Sequence, residues 1–274
     1  MRAYRVAYDG RAYHGFQRQP AVSTVEDALL GTLAESGIDF EDTPPGWAAA
    51  GRTDAGVSAL AQTVTFDAPE WLSPRAFTAR LPEDIHVWAS TPVPDDFHAT
   101  HDANRREYTY FLENRSTDQD RVEALNDALS GVHDFHNLAA EDEGTVRDIS
   151  VESRSEGQFR RITVEADGFP RQLVRRLVAL YERVLWGGVD LAFVDRVLDP
   201  DPLPGPKGIK PAPAYPLVLT DVAYSQEFEI DESAVEMARE VLSDRVRQDR
   251  TRARVGTVLE RGMQDRSGAA GDNA

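Results

Sequence analysis

Apolar and polar residues alternate from the first residues of the chain. RAYRVAYDG (2–10) reads as a strand that ends in an Asp-Gly turn. A polar, aromatic loop, RAYHGFQRQP (11–20), follows. In STVEDALLGTLAESG (23–37) the period becomes that of a helix. Ser23 and Glu26 have capping-box spacing, and Gly37 supplies a C-terminal stop. Beyond a PPGW break (44–47), AAAGRTDAGVSALAQTVTF (48–66) opens with small residues and turns through a glycine-flanked charged pair. It then alternates as a strand from Gln62. SPRAFTARLP (73–82) predicts a short helix with Ser73 as N-cap and Pro74 in its first position. IHVWASTPV (85–93) reads as a further strand.

A second series begins at REYTYFLE (106–113), an alternating strand. RVEALNDALSGV (121–132) predicts a helix ended by Gly131, and TVRDISVESRSEGQFRRITVEADG (145–168) a hairpin about a Ser-Glu-Gly turn. FPRQLVRRLVALYERVLWGG (169–188) carries the clearest helical stripe: Leu173, Val174, Leu177, Val178, Tyr181, Val184 and Leu185, stopped by Gly187 and Gly188. A proline-rich loop (199–216) leads to the closing strand LVLTDVAYS (217–225). The tail holds a charged amphipathic helix, ESAVEMAREVLSDRVRQ (232–248), and ends in DRSGAAGDNA (265–274), which reads as disordered.

Half-exposed strands alternating with helices predict an α+β protein. Two similar halves, 1–103 and 104–225, would share one mainly antiparallel sheet with helices on one face and a cleft between the halves. A helical tail, 226–274, would follow. Nothing in core packing calls for Arg52 beside Asp54 in a glycine-flanked turn, and turn tips on rigid scaffolds are where chemistry concentrates.

Composition narrows the chemistry. The chain has no cysteine, which excludes disulfides, thiolate metal sites and a cysteine nucleophile. His98/His101 and His133/His136 have i,i+3 spacing but no third ligand at a metal-site spacing, so both pairs read as structural and no metal is expected. No apolar run approaches the roughly 20 residues of a membrane helix. The N-terminus lacks a signal-peptide core, so a cytoplasmic protein is expected. Lys207 and Lys210 are the only lysines and the net charge is −17, the balance of a protein from a salt-loaded cytoplasm. At about 1 M salt charges are screened beyond roughly 3 Å, so a local arginine cluster outweighs the global sum.

AGRTDAGVSA (50–59) resembles the signature of tRNA pseudouridine synthases of the TruA type. YDGRAYHGFQRQ (8–19), DDFHA (95–99), RREYTY (105–110), GFPRQLVRRLV (168–178) and PAPAYPLVL (211–219) resemble further segments of that family, in the same order. Ser58 stands where many bacterial members carry histidine and resembles the archaeal and eukaryotic branch. The resemblance implies the pseudouridine synthase fold and cofactor-free conversion of uridine to pseudouridine at positions 38–40 of tRNA, or a subset of them, by a homodimer.

It also implies roles. Asp54 is the carboxylate that attacks C1′ or removes the C2′ proton; both routes stay open. Arg175 pairs with it, in a contact expected to be bidentate. Tyr108 stacks on the uracil and is a candidate base, with Tyr110 its rival on the same strand face. Arg52 fills the space of the extruded nucleotide. Gly51, Thr53 and Gly56 are expected to line the pocket, the two glycines letting the backbone come close to the RNA, and Leu217 or Leu219 floors it. Arg11, Arg18, Arg105, Arg106 and Arg171 are expected, with Arg52, to contact RNA. A non-catalytic RNA-binding module on a ferredoxin-like sheet would explain the arginines and aromatics but not Asp54 with Arg175. A hydrolase using two carboxylates would need a second acid that no motif supplies.

Overall fold

The computed structural model describes residues 1–116, 118–141, 143–201, 203 and 209–269; Lys207 and part of the proline-rich loop lie outside them. In chain order the elements are β1 (Arg2–Tyr8), α1 (Val25–Glu35), β2 (Ala48–Ala49), β3 (Ser58–Phe66), α2 (Pro74–Thr78), β4 (Ile85–Pro92), β5 (Arg105–Glu113), α3 (Gln119–Leu129), β6 (Gly131–Asp134), β7 (Val146–Glu156), β8 (Phe159–Ala166), α4 (Leu173–Leu185), α5 (Ala192–Leu198), β9 (Leu217–Ala223), β10 (Glu229–Ile230) and α6 (Glu232–Ala269). The strands form one sheet in the order β10-β4-β1-β3-β9-β5-β8-β7-β6, with β2 added on β3.

Every pairing is antiparallel except β3 with β9, which is parallel and aligns only Ser58 with Val218 and Ala59 with Leu219. This short seam joins the strands of residues 1–103 to those of 104–225. The expected sheet is therefore present, and strand alternation builds its core. Tyr4, Val6 and Tyr8 of β1, Tyr108, Tyr110 and Leu112 of β5, and Ile162 and Val164 of β8 share one buried cluster with α1, α3, α4 and α5. The whole predicted stripe of α4 is buried there.

The one helix off that face is α6. It packs on β4 and lines a groove with Ala7, Leu60 and His86, which alternate with the core-facing residues. On the same second face the Arg5 guanidinium lies 4.2 Å from the centre of the Phe228 ring.

Local expectations meet several corrections. Thr24, not Ser23, caps α1: its hydroxyl accepts from Asp27 N at 3.2 Å, while Glu26 instead accepts from Trp47 Nε1 and Arg18 N, both at 2.8 Å. The Ser73 cap and Pro74 start of α2 are as read. α5 and β6 were not anticipated. α6 continues to Ala269, through the first half of the segment read as disordered; 270–274 lie outside the described residues. Among the described residues no helix is long and apolar enough to cross a membrane, and no group of three or more His, Asp or Glu could hold a metal ion.

Candidate active site

The turn between β2 and β3 is held by its backbone at both ends. Ala50 N donates to Thr63 O at 2.8 Å, and Gln62 Nε2 donates to Gly51 O at 2.7 Å. Further on, Phe16 N donates to Thr53 O at 3.1 Å, Gly56 N to Tyr13 O at 3.2 Å, and Val57 N back to Asp54 O at 3.1 Å. The 10–16 loop thus backs the turn. A Cβ on Gly10 would sit 2.0 Å from Val57 O, and one on Gly15 2.8 Å from Thr53 O, so both contacts need glycine. The Thr53 side chain points inward and shares a 2.7 Å hydrogen bond with the Tyr8 hydroxyl. Ser58 Oγ accepts from Gly10 N at 3.0 Å, so this departure from the bacterial pattern fastens the backing loop.

Across the seam, α4 buries Leu173, Val174, Leu177 and Val178, which turns Arg175 toward the turn. Its Nη1 donates to Asp54 Oδ2 at 2.8 Å, joining residues 121 apart in sequence. The contact is single, not bidentate, because Arg175 Nε donates to Ala212 O at 2.8 Å. Ala212 N returns a bond to Arg175 O at 3.0 Å, so the guanidinium is fixed from its own backbone outward. Asp54 is 26% exposed and Arg175 15%, which makes this a half-sheltered ion pair with one carboxylate face open. Asp54 Oδ1 has no hydrogen-bond partner among the described residues.

The pair opens on a cavity of about 70 Å³ lined by Thr53, Val57, Tyr108, Phe169, Gln172 and Leu217, among others. Asp54, Arg52, Phe169 and Arg171 also line an adjoining cleft of about 570 Å³, which Gly51 and Trp47 border. Tyr108 is buried with its ring edge-to-face on Phe169, centroids 5.4 Å apart. Burial, only partly offset by nearby Arg106, pushes its hydroxyl up to about 12, so it keeps its proton at neutral pH. Tyr110 lines neither cavity; its ring belongs to the core. Leu217 lines the cavity, whereas Leu219, two residues along on the same strand face, is a core residue that does not line it. Gly56 lines neither space: its φ of +82° closes the turn, and it packs toward Ala214.

The expected RNA-facing arginines separate into four groups. Arg52 and Arg171 are exposed at the cavity rim, and neither side chain has a partner among the described residues. Arg11 and Arg18 are exposed but paired, Arg11 with Asp9 at 2.6 Å and Asp249 at 3.2 Å, Arg18 with Asp42 at 2.5 Å. Arg105 lies on the sheet face away from Tyr108, where Glu165 (2.9 Å) and Asp221 (3.4 Å) hold it.

Arg106 is a correction. Its guanidinium is buried and donates to Ala50 O from Nε (3.1 Å) and Nη2 (2.7 Å), to Thr100 O (2.7 Å) and to Asp167 O, which commits four of its five N–H donors to backbone carbonyls inside the fold rather than to a phosphate. It ties the start of the turn to the segments before β5 and after β8.

Two site residues had no signal in the hydrophobic pattern. Phe169 reads as one more apolar residue before α4. Gln172 enters α4 at φ +65°, a left-handed conformation that costs a non-glycine residue roughly 1–2 kcal/mol. That strain sits on the cavity wall, where such outliers cluster.

A family model described as tRNA pseudouridine synthase matches residues 126–225. The chain is 52% identical to the tRNA pseudouridine synthase A of Haloarcula marismortui, over 96% of this chain and 100% of that protein. The counterpart in Natronomonas pharaonis is also 52% identical, over 94% and 98% of the two chains. The one in Pyrococcus abyssi is 34% identical over 90% and 93%. The halophilic sources of the first two agree with the acidic, lysine-poor composition.

Proposed function

The chain belongs to the tRNA pseudouridine synthase family and is an isomerase of tRNA uridines, and from that premise we propose that Asp54 is the group that works at the sugar. The reaction breaks N1–C1′ and forms C5–C1′. C5 gives up a proton and N1 takes one up, so atoms and electrons balance without an oxidant or reductant. The observation that carries the assignment is the Asp54–Arg175 contact of 2.8 Å at the mouth of a cavity walled by Tyr108 and Phe169. Arg175 pins the half-sheltered carboxylate through Oδ2 and leaves Oδ1 free to meet C1′ or the C2′ proton. A carboxylate in this state can act as nucleophile toward a sugar carbon.

Tyr108 covers the loosened uracil. Its high pKa supports stacking, which is worth about 1–3 kcal/mol per base, over proton abstraction by a phenolate. Arg52, exposed and unpaired two residues before Asp54, enters the space left by the extruded nucleotide. Arg171, on the opposite rim, contacts phosphate. The target lies in the anticodon arm of tRNA and the enzyme is a homodimer, as the family resemblance implies, and it acts in the cytoplasm.

The test is Asp54→Asn, which keeps the shape and removes the charge. Pseudouridine formation in an unmodified tRNA transcript should vanish while tRNA affinity is retained. Turnover equal to wild type would reject the assignment. Mapping the modified positions in the same transcript checks the anticodon-arm target, and light scattering checks the dimer.

A further inference from the structure

α6 starts beside the middle of β4, where Asp231 N donates to Trp88 O at 3.0 Å. It then passes His86 and reaches the end of β1, where Arg245 meets Asp9 at 3.0 Å and Asp249 meets Arg11 at 3.2 Å. That is the end of the sheet where β1 stops and β3 begins, and the Asp54 turn leads directly into β3. From Arg250 onward the helix runs past the body, and nearly every residue to Gln264 is exposed. The exposed stretch 250–263 is about 21 Å long at 1.5 Å per residue.

Its charge is opposite to that of the rest of the chain. Residues 245–261 hold six arginines against two acids, in a protein with 47 acidic and 30 basic residues. Arg247, Arg250, Arg254 and Arg261 follow one another at intervals of three, four and seven residues, which places them along one helical face. Arg247 is paired with Asp244, but Arg250, Arg254 and Arg261 have no partner among the described residues.

We propose that this exposed stretch is an RNA-binding arm whose arginine face takes the phosphate backbone of tRNA at a distance from the uridine held over Asp54. The proposal rests on the tRNA reading above. A clustered basic stripe is the electrostatic footprint of nucleic-acid binding. Guanidinium groups, planar and permanently charged, suit phosphate.

The same helix carries an exposed apolar stripe, Val255, Val258, Leu259 and Met263, which could instead seat a second copy. Pairing two such helices would bring together two stretches, 245–261, that each hold six arginines against two acids, whereas RNA supplies the opposite charge.

The test compares wild type with R250Q/R254Q/R261Q in the full chain, binding an unmodified tRNA transcript across a KCl series in which both stay folded. The variant should bind about tenfold or more weakly at the lowest salt. Its slope of log affinity against log salt should be shallower by about 2–3, at roughly 0.7–0.9 for each phosphate that is no longer neutralised. Its kcat at saturating tRNA should be unchanged. Equal affinity and equal slope would overturn the proposal. So would a V255D/L259D variant that lowers the molar mass in solution while the arginine variant binds as wild type, since the helix would then be a subunit interface. Binding is read separately from turnover, so a wild-type chain that binds tRNA but forms no pseudouridine would count against the functional reading alone.

Discussion

Replacing Arg106 with lysine keeps the charge and removes the fork. The guanidinium makes four hydrogen bonds to the carbonyls of three separate segments, Ala50, Thr100 and Asp167. An ammonium on a flexible stem has three donors without that planar geometry and can satisfy about two of those carbonyls. A hydrogen bond to a charged group contributes roughly 1.5–3 kcal/mol, so losing about two costs on the order of 3–6 kcal/mol before relaxation. Allowing the loop to relax, we expect about 3 kcal/mol of lost stability, or roughly 6–12 °C in Tm at fixed salt for a chain of this size. The assays are thermal unfolding and the salt slope of tRNA binding on one protein preparation. Tm should fall, kcat should fall because Ala50 leads into the Asp54 turn, and the salt slope should not move. A Tm within about 1 °C of wild type, together with a shallower salt slope, would refute the scaffold role and restore Arg106 as a phosphate ligand.

Three more substitutions probe the site. Tyr108→Phe should retain most turnover, and wild-type kcat should not climb with pH between 7 and 10; a phenolate base at this position, titrating near 12, would instead give a tenfold rise per pH unit across that range. Burial raises this pKa, so the folded state holds a proton that the unfolded chain releases from about pH 10. Stability should therefore drop between pH 10 and 12 in wild type and drop less in Tyr108→Phe, as followed by denaturant titration. Arg52→Ala should slow reaction on folded tRNA more than on a short RNA with an unpaired target uridine; equal losses on both, in single-turnover assays, would remove its role in extrusion. Gly10→Ala drives a Cβ into the Val57 carbonyl and should cut kcat by about 10² or more through displacement of the turn, with tRNA affinity kept; normal kcat would mean that the loop does not position Asp54.

Periodicity made most of the sheet and the α4 stripe legible, because burial of one face leaves a period of two or 3.6 in the residues themselves. The partnership of Asp54 with Arg175 was legible only through the family resemblance, since no spacing rule links residues on opposite sides of a seam. The arginines were the least legible. Arg106 and Arg105 are adjacent in sequence, yet one is buried among carbonyls and the other lies on the far sheet face among acids. Which role each takes depends on segments some 60 or more residues away. The α1 cap shifted by one residue because Ser23 and Thr24 are both competent caps and Trp47 engages Glu26. The seven-residue α5 was too short to leave a period. Gln172 could not be read at all, since nothing in glutamine announces a left-handed backbone.

The two-rung parallel seam has a bearing on how this enzyme fails. Asp54 and Arg175 come from opposite banks of it, and among the described residues of the sheet only Ser58–Val218 and Ala59–Leu219 bridge those banks. Parallel rungs are the weaker kind. A slackening of about 1 Å there can cost on the order of a hundredfold in rate without unfolding the strands on either bank. Warming should thus silence turnover well before circular dichroism registers melting, and whatever braces the seam from outside, bound tRNA included, should close that gap.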